Sequence, residues 1–211
     1  MRLRSRFTTA VFALSVSLST ATWAENALDC YAEDLDLRIR GCTILLEGNL
    51  TPLDRAQALS SRALALSMKT WYGEAIKDYD NALAINPNSA VARNNRAWAY
   101  FRWGRGADGL EDVEHSLRLE PTSGAAYDTR AHIRQSLGNT SAALTDYRMA
   151  MTFGGERMVK MYQCGLLEHG LYKGPIDGTP NPQLDDALAI CVKDTVCDPL
   201  PADEECRMGT T

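Results

Sequence analysis

Six cysteines, three histidines and one glycine-rich hexapeptide are the residues of this chain whose types and spacing could support chemistry. The cysteines (Cys30, Cys42, Cys164, Cys191, Cys197 and Cys206) form no C-x-x-C pair, so the spacing of a zinc site is missing. An even number in an exported chain reads instead as a disulfide framework. His132 has no second His or Cys at ligand spacing, and three histidines leave little material for general-base chemistry. No metal and no cofactor are expected. Gly104-Arg105-Gly106-Ala107-Asp108-Gly109 matches G-x-G-x-x-G, but that fingerprint needs a strand before its first glycine, and the pattern here is helical. Neither G-x-S-x-G nor H-E-x-x-H occurs, and carboxylate pairs such as Asp185-Asp186 fall on a helix surface where solvation is their usual fate. The expectation is a chain without catalytic machinery.

Composition narrows the partners. The 211 residues carry formal net charge −5, and three of the cations (Arg2, Arg4 and Arg6) lie in the first 24 residues, so the remainder is more acidic still. No run of Lys or Arg follows residue 6, which excludes a basic face for nucleic acid. After those arginines come an uncharged stretch from Phe7 to Leu18 and then Thr22-Trp23-Ala24, with small residues where a signal peptidase reads. Residues 1–24 are therefore read as a signal peptide. The stretch is shorter than a membrane span and rich in Ser and Thr, and no integral membrane segment is expected in the mature chain. The periplasm of a Gram-negative bacterium is the expected location, with secretion as the alternative. Fifteen connectivities are open to six cysteines. Local clustering favours Cys30 with Cys42, Cys164 with Cys191 and Cys197 with Cys206.

A repeat of 34 residues organises residues 54–155. Arg62-Ala63 recurs as Arg96-Ala97 and Arg130-Ala131; Asp78, Asp112 and Asp146 are in register, as are Ala75, Gly109 and Ala143. Ala75, Ile76, Tyr79, Ala82 and Leu83 fall on one face at intervals of three and four, so each unit reads as helical. Gly104 in the second unit and Gly138-Asn139 in the third mark a turn between two helices. Small residues at matched positions let the helices of a hairpin approach closely. Such units cannot bury their faces alone and must stack.

The pattern resembles the tetratricopeptide repeat. Its small residue, Tyr, Ala, aromatic, Ala and Pro appear as Ala97, Tyr100, Gly109, Val113, Ser116 and Pro121 in the second unit, with Arg134 for Tyr and Gly155 for Pro as departures in the third. The resemblance implies an all-α helical-hairpin solenoid of three repeats. Residues 25–53 form a leading capping half-repeat, its helix running from Leu35 to Glu47 beside Cys30 and Cys42. It further implies a groove lined by Ser60, Ser61, Leu64, Ser67 and Met68, then Asn94, Asn95, Trp98, Phe101 and Arg102, then Asp128, Thr129, His132, Gln135 and Ser136. The second set combines an amide pair with aromatic and cationic anchors; alternatively, Trp98 packs on the neighbouring hairpin. The clustered cations that clamp a terminal carboxylate are absent, so an internal segment or helix suits the groove better.

Residues 156–211 form a small Cys-rich unit. A helix is expected from Glu156 to His169 and a second from Pro182, capped by Asn181. Val159, Gln163, Leu166, Gly170, Tyr172, Gly174, Ile176, Asp177, Gly178, Ala187 and Leu188 resemble half of a peptidoglycan-binding-like domain. That resemblance implies glycan contact by Tyr172, Gly174, Asp177 and Gly178; the alternative is that Asp177 and Gly178 only shape the turn. A Cys164–Cys191 bond would replace the aromatic that this family has where Cys191 stands. Taken together, the expectation is a non-enzymatic periplasmic adaptor with a protein or peptide partner in the groove and peptidoglycan at the C-terminal unit. One alternative makes that unit only a cap for the solenoid; a further one is a cell-wall-remodelling hydrolase dependent on Asp177.

Overall fold

The computed structural model describes residues 28–201 and 206, so the expected signal peptide lies outside the described residues. Helices follow one another along the chain: α1 Leu35–Glu47, α2 Pro52–Met68, α3 Tyr72–Ile85, α4 Ala90–Arg102, α5 Gly106–Leu119, α6 Gly124–Ser136, α7 Thr140–Glu168 and α8 Pro182–Cys191. The pairs α2/α3, α4/α5 and α6/α7 are the three hairpins, and the first helices also meet, α2 on α4 and α4 on α6. Among the described residues no helix is long and apolar enough to cross a membrane.

Local chemistry explains the element ends. The first helix of each hairpin is capped by a hydroxyl, with Thr51, Ser89 and Ser123 accepting from the backbone N–H groups of Asp54, Ala92 and Ala126. The second helices have no side-chain cap. They are started by a turn residue with positive φ, which is Gly104 (76°) and Gly138 (78°) in two units but Thr70 (62°) in the first. A β-branched residue is strained in that region.

Within each hairpin the same ion pair recurs. Arg62 grips Asp78 through two N–H···O bonds of 2.7 and 2.9 Å, Arg96 grips Asp112 at 2.6 and 2.8 Å, and Arg130 grips Asp146 at 2.9 and 2.8 Å. The carboxylates are buried, so each needs a fixed cation. Asp112 receives a second one from Arg93 and Asp146 from Arg134, which explains an Arg where the repeat pattern has Tyr. Beside these clamps the helices touch through small residues. A Cβ on Gly109 would sit 2.8 Å from the Ala97 carbonyl oxygen.

The third hairpin runs into the C-terminal unit without a linker. Gly155 (φ 63°, ψ −155°) breaks α7, and Val159, Tyr162 and Leu166 beyond the break share one core with Ala131, Ala143 and Tyr147 before it. Leu184, Leu188 and Cys191 of α8 close that core, and Asn181 caps α8 by accepting from the Leu184 N–H. At the other end Cys30–Cys42 staples the leading helix, as expected.

The remaining disulfides are Cys191–Cys197 and Cys164–Cys206, not Cys164–Cys191 and Cys197–Cys206. Two successive turns, Asp194 N–H to the Cys191 carbonyl and Cys197 N–H to that of Asp194, fold the chain back immediately after α8. Cys197 therefore meets Cys191 in the core, and the tail passes on over α7 towards Cys164. The Cys191 site keeps its place in the core through that local bond.

Two substitutions read this packing. Gly109→Ala should lower stability by about 1–3 kcal/mol through overpacking against backbone, and Thr70→Gly should raise it by about 1 kcal/mol by relieving the left-handed residue. Urea unfolding midpoints at unchanged slope are the measurement.

Candidate partner-binding groove

The groove begins at the cap. An open cavity of about 620 Å³ lies between α1, α2 and the start of α4, with Ser60, Ser61, Leu64, Gln57 and Asn95 on its walls beside Tyr31 and Arg38. Apolar and amide groups alternate there, the lining expected of a site that holds a main chain. Ser61 also donates to the Cys30 carbonyl at 2.6 Å, tying the wall to the stapled cap. Met68, 60% exposed, lies outside the cavity lining.

In the second repeat Asn94 Nδ2 lies 3.4 Å from Asn95 Oδ1, while Asn94 Oδ1 is buried and has no hydrogen-bond partner. Trp98 and Phe101 pack at 5.1 Å between ring centroids, and the Arg102 guanidinium lies over the Trp98 ring at 5.6 Å. Both rings also contact His132 of the next repeat, at 5.2 and 5.5 Å. Trp98 thus packs on its neighbour while staying partly exposed.

The third repeat differs. Thr129, His132 and Gln135 are buried, not open groove wall, and the chain's own tail covers His132 and Gln135. Gln135 Nε2 donates to the carbonyls of Asp194 (2.8 Å) and Cys197 (2.7 Å), and its Oε1 accepts from Tyr147 (2.6 Å). His132 Nε2 meets Asp198 Oδ1 at 2.9 Å, while Nδ1 meets the Asp128 carbonyl at 2.8 Å. Tyr162 donates to Asp128 at 2.5 Å. Nothing in the spacing of Asp198-Pro199-Leu200-Pro201 said which helix it would cover.

Electrostatics follow from this burial. Burial by itself depresses the His132 pKa, but the Asp128 charge and the Asp198 hydrogen bond and charge outweigh it and push it up to about 9. Burial likewise opposes ionisation of Asp198, yet the His132 contact holds its carboxyl below the usual range. The pair is an imidazolium and a carboxylate at neutral pH.

The four residues expected at glycan are occupied in the turn. Tyr172 is buried, donating to the Pro175 carbonyl (2.9 Å) and accepting from Asn181 (2.9 Å). Gly174 lies against the Tyr172 ring, leaving no room for a Cβ. Asp177 accepts from the Thr179 N–H and from Gln163, and Gly178 takes φ 76° and donates its N–H to Gln163. Val159, Gln163, Leu166, Ala187 and Leu188 are core. The positions of the half-motif thus build its own turn and core. Among the described residues no group of His, Cys, Asp and Glu is placed to hold a metal ion.

No family model matches the chain, and no curated protein matches it by sequence. In structure it is similar to MamA, at 16% identity and a TM-score of 0.55 over 66% of this chain and 80% of that one. It is also similar to an O-GlcNAc transferase mutant of Thermobaculum terrenum, at 20% identity and 0.52, over 65% of this chain and 26% of that one. The fold is the tetratricopeptide-type solenoid. A further similarity, at 27% identity and 0.46 over 48% of this chain and 80% of that one, is to the first TPR of Spaghetti (RPAP3) bound to an HSP90 peptide.

The His132–Asp198 contact sets a pH dependence. His132 is raised from 6.5 to about 9 on folding, so its contribution is complete below pH 6.5 and is lost as pH rises through about 9, on the order of 3 kcal/mol. Asp198, lowered from 3.8, contributes above that value and ceases to as pH falls below it. Stability should be flat from about pH 4.5 to 6.5 and decline toward pH 9, and His132→Gln should abolish the alkaline decline in thermal melts.

Proposed function

We propose that this chain is an exported, non-enzymatic scaffold that binds a protein or peptide partner along the open groove of its first two repeats. The observation that carries the reading is the cavity between α1, α2 and α4, continued by Asn94, Asn95 and Trp98. Stacked hairpins present such grooves to extended segments or helices, and the partly exposed Asn95 and Trp98 offer them an amide and a ring face. The arginines at 2, 4 and 6, the uncharged stretch after them and the pairing of all six cysteines support export to an oxidising compartment, with the periplasm as our assignment.

The C-terminal unit is proposed as the end cap of the solenoid. Its residues share the third repeat's core, and Tyr172, Asp177 and Gly178 are engaged internally. Contact with peptidoglycan is the competing reading, supported by the sequence resemblance alone.

Two experiments test these assignments. Replacing Asn95 and Trp98 together with Ala should abolish capture of a partner from periplasmic extract while the circular dichroism spectrum stays helical; capture that persists would refute the groove assignment. Incubated with purified sacculi, residues 25–211 should remain in the supernatant. Pelleting that disappears on Asp177→Ala would restore the wall-binding reading.

A further inference from the structure

The third repeat shows its groove with an occupant in place. The side-chain amide of Gln135 reads two main-chain carbonyls of residues 194–197, and His132 reads one carboxylate, Asp198. Those carbonyls belong to the turns that Cys191–Cys197 closes, and beyond them residues 198–200 are recognised through a single acidic side chain. The Asp198 side chain is 45% exposed, so the carboxylate stands at the edge of the groove, while His132 beneath it is buried. Because His132 also touches Trp98 and Phe101, clearing the tail would make one continuous groove from the cap to α6.

Covalent bonds hold the occupant at both ends. Cys191–Cys197 closes the loop that Gln135 reads, and Cys164–Cys206 ties the tail beyond Asp198 to α7. Their accessibility differs. Cys164, Cys191 and Cys197 are all buried, whereas Cys206 is partly exposed.

We infer that the groove over α6 at His132 is a binding surface for a peptide segment carrying one carboxylate, held shut in cis by residues 198–200 and opened when a dithiol reductant cleaves Cys164–Cys206. A thiolate of the reductant attacks the Cys206 sulfur, and the bond breaks with its electron pair on Cys164. The reductant's second thiolate then displaces Cys206. Both cysteines end as thiols with the two protons the dithiol gives up, and the dithiol ends as a disulfide. An incoming segment then replaces Asp198 on His132, while Gln135 keeps the carbonyls of the Cys191–Cys197 loop. The inference rests on the groove-binding reading above, extending it from two repeats to three.

The test uses the full chain and a labelled synthetic peptide of residues 198–201. By fluorescence anisotropy the Cys164→Ser/Cys206→Ser chain should bind it at least about tenfold more tightly than the oxidised wild type, and His132→Gln in that background should remove the gain. Equal binding by both chains, or none by the double variant, overturns the inference. Should the double variant misfold, the wild type under increasing dithiothreitol supplies the answer. Cys164 and Cys206 should become alkylated before Cys191 and Cys197, with faster hydrogen exchange at Asp198 and Leu200 while α2–α6 keep their protection. A tail that stays protected once Cys206 is alkylated also overturns it. Since the probe is the chain's own tail, failure here leaves the first two repeats to be judged by the Asn95 and Trp98 substitutions.

Discussion

Three buried aspartates hold this solenoid to its repeat. Asp78, Asp112 and Asp146 sit between the two helices of their hairpins, each gripped by an arginine on the first helix through two hydrogen bonds. A buried carboxylate without its cation costs several kcal/mol, so the pair fixes the rotation of one helix against the other. With that rotation fixed, the small residues meet: Ala63 and Ala75 are fully buried, and Gly109 lies against the Ala97 backbone. The apolar faces on either side then have only one way to stack, which places the first helices side by side and creates the groove.

The groove has two halves of different character. Over the first repeats it is open, with amides, hydroxyls and Leu64 around a cavity. Over the third it is filled by the tail, and the polar groups there are paired inside the chain. A ladder of rings from Trp98 and Phe101 through His132 and Tyr147 to Tyr162 joins the halves. Burying an imidazolium in such surroundings requires carboxylates on it, and Asp128 from its own helix and Asp198 from the tail supply them. The tail is therefore part of the electrostatic balance of the third repeat.

The C-terminal unit shows how a motif can encode a shape. Gln163 is wholly buried and ties Asp177, Gly178 and Thr179 into one turn, and the Tyr172 hydroxyl holds the next turn and Asn181. Those bonds position Pro182 so that α8 returns across α7. A unit this small buries too little surface to stand alone, and here it shares the core of the third repeat.

The sequence by itself determined the hairpins, their order, the leading helix and the start of α8. Those features depend on local chemistry: caps, turn glycines, and a period of 34 that repeats the same packing three times. It also placed the arginines and aspartates in register without showing that they pair, because they lie on different helices and meet only after the hairpin closes. Tertiary structure alone decided the path of the tail. Nearness along the chain favoured Cys164–Cys191 and Cys197–Cys206, yet the two turns after α8 reverse the chain and bring Cys206 to Cys164 instead. The same reversal buries His132 and Gln135, which by repeat position belong to the groove wall. Contacts between residues 60 or so positions apart leave no periodic mark in a sequence, since each is made once and depends on where every intervening helix has packed.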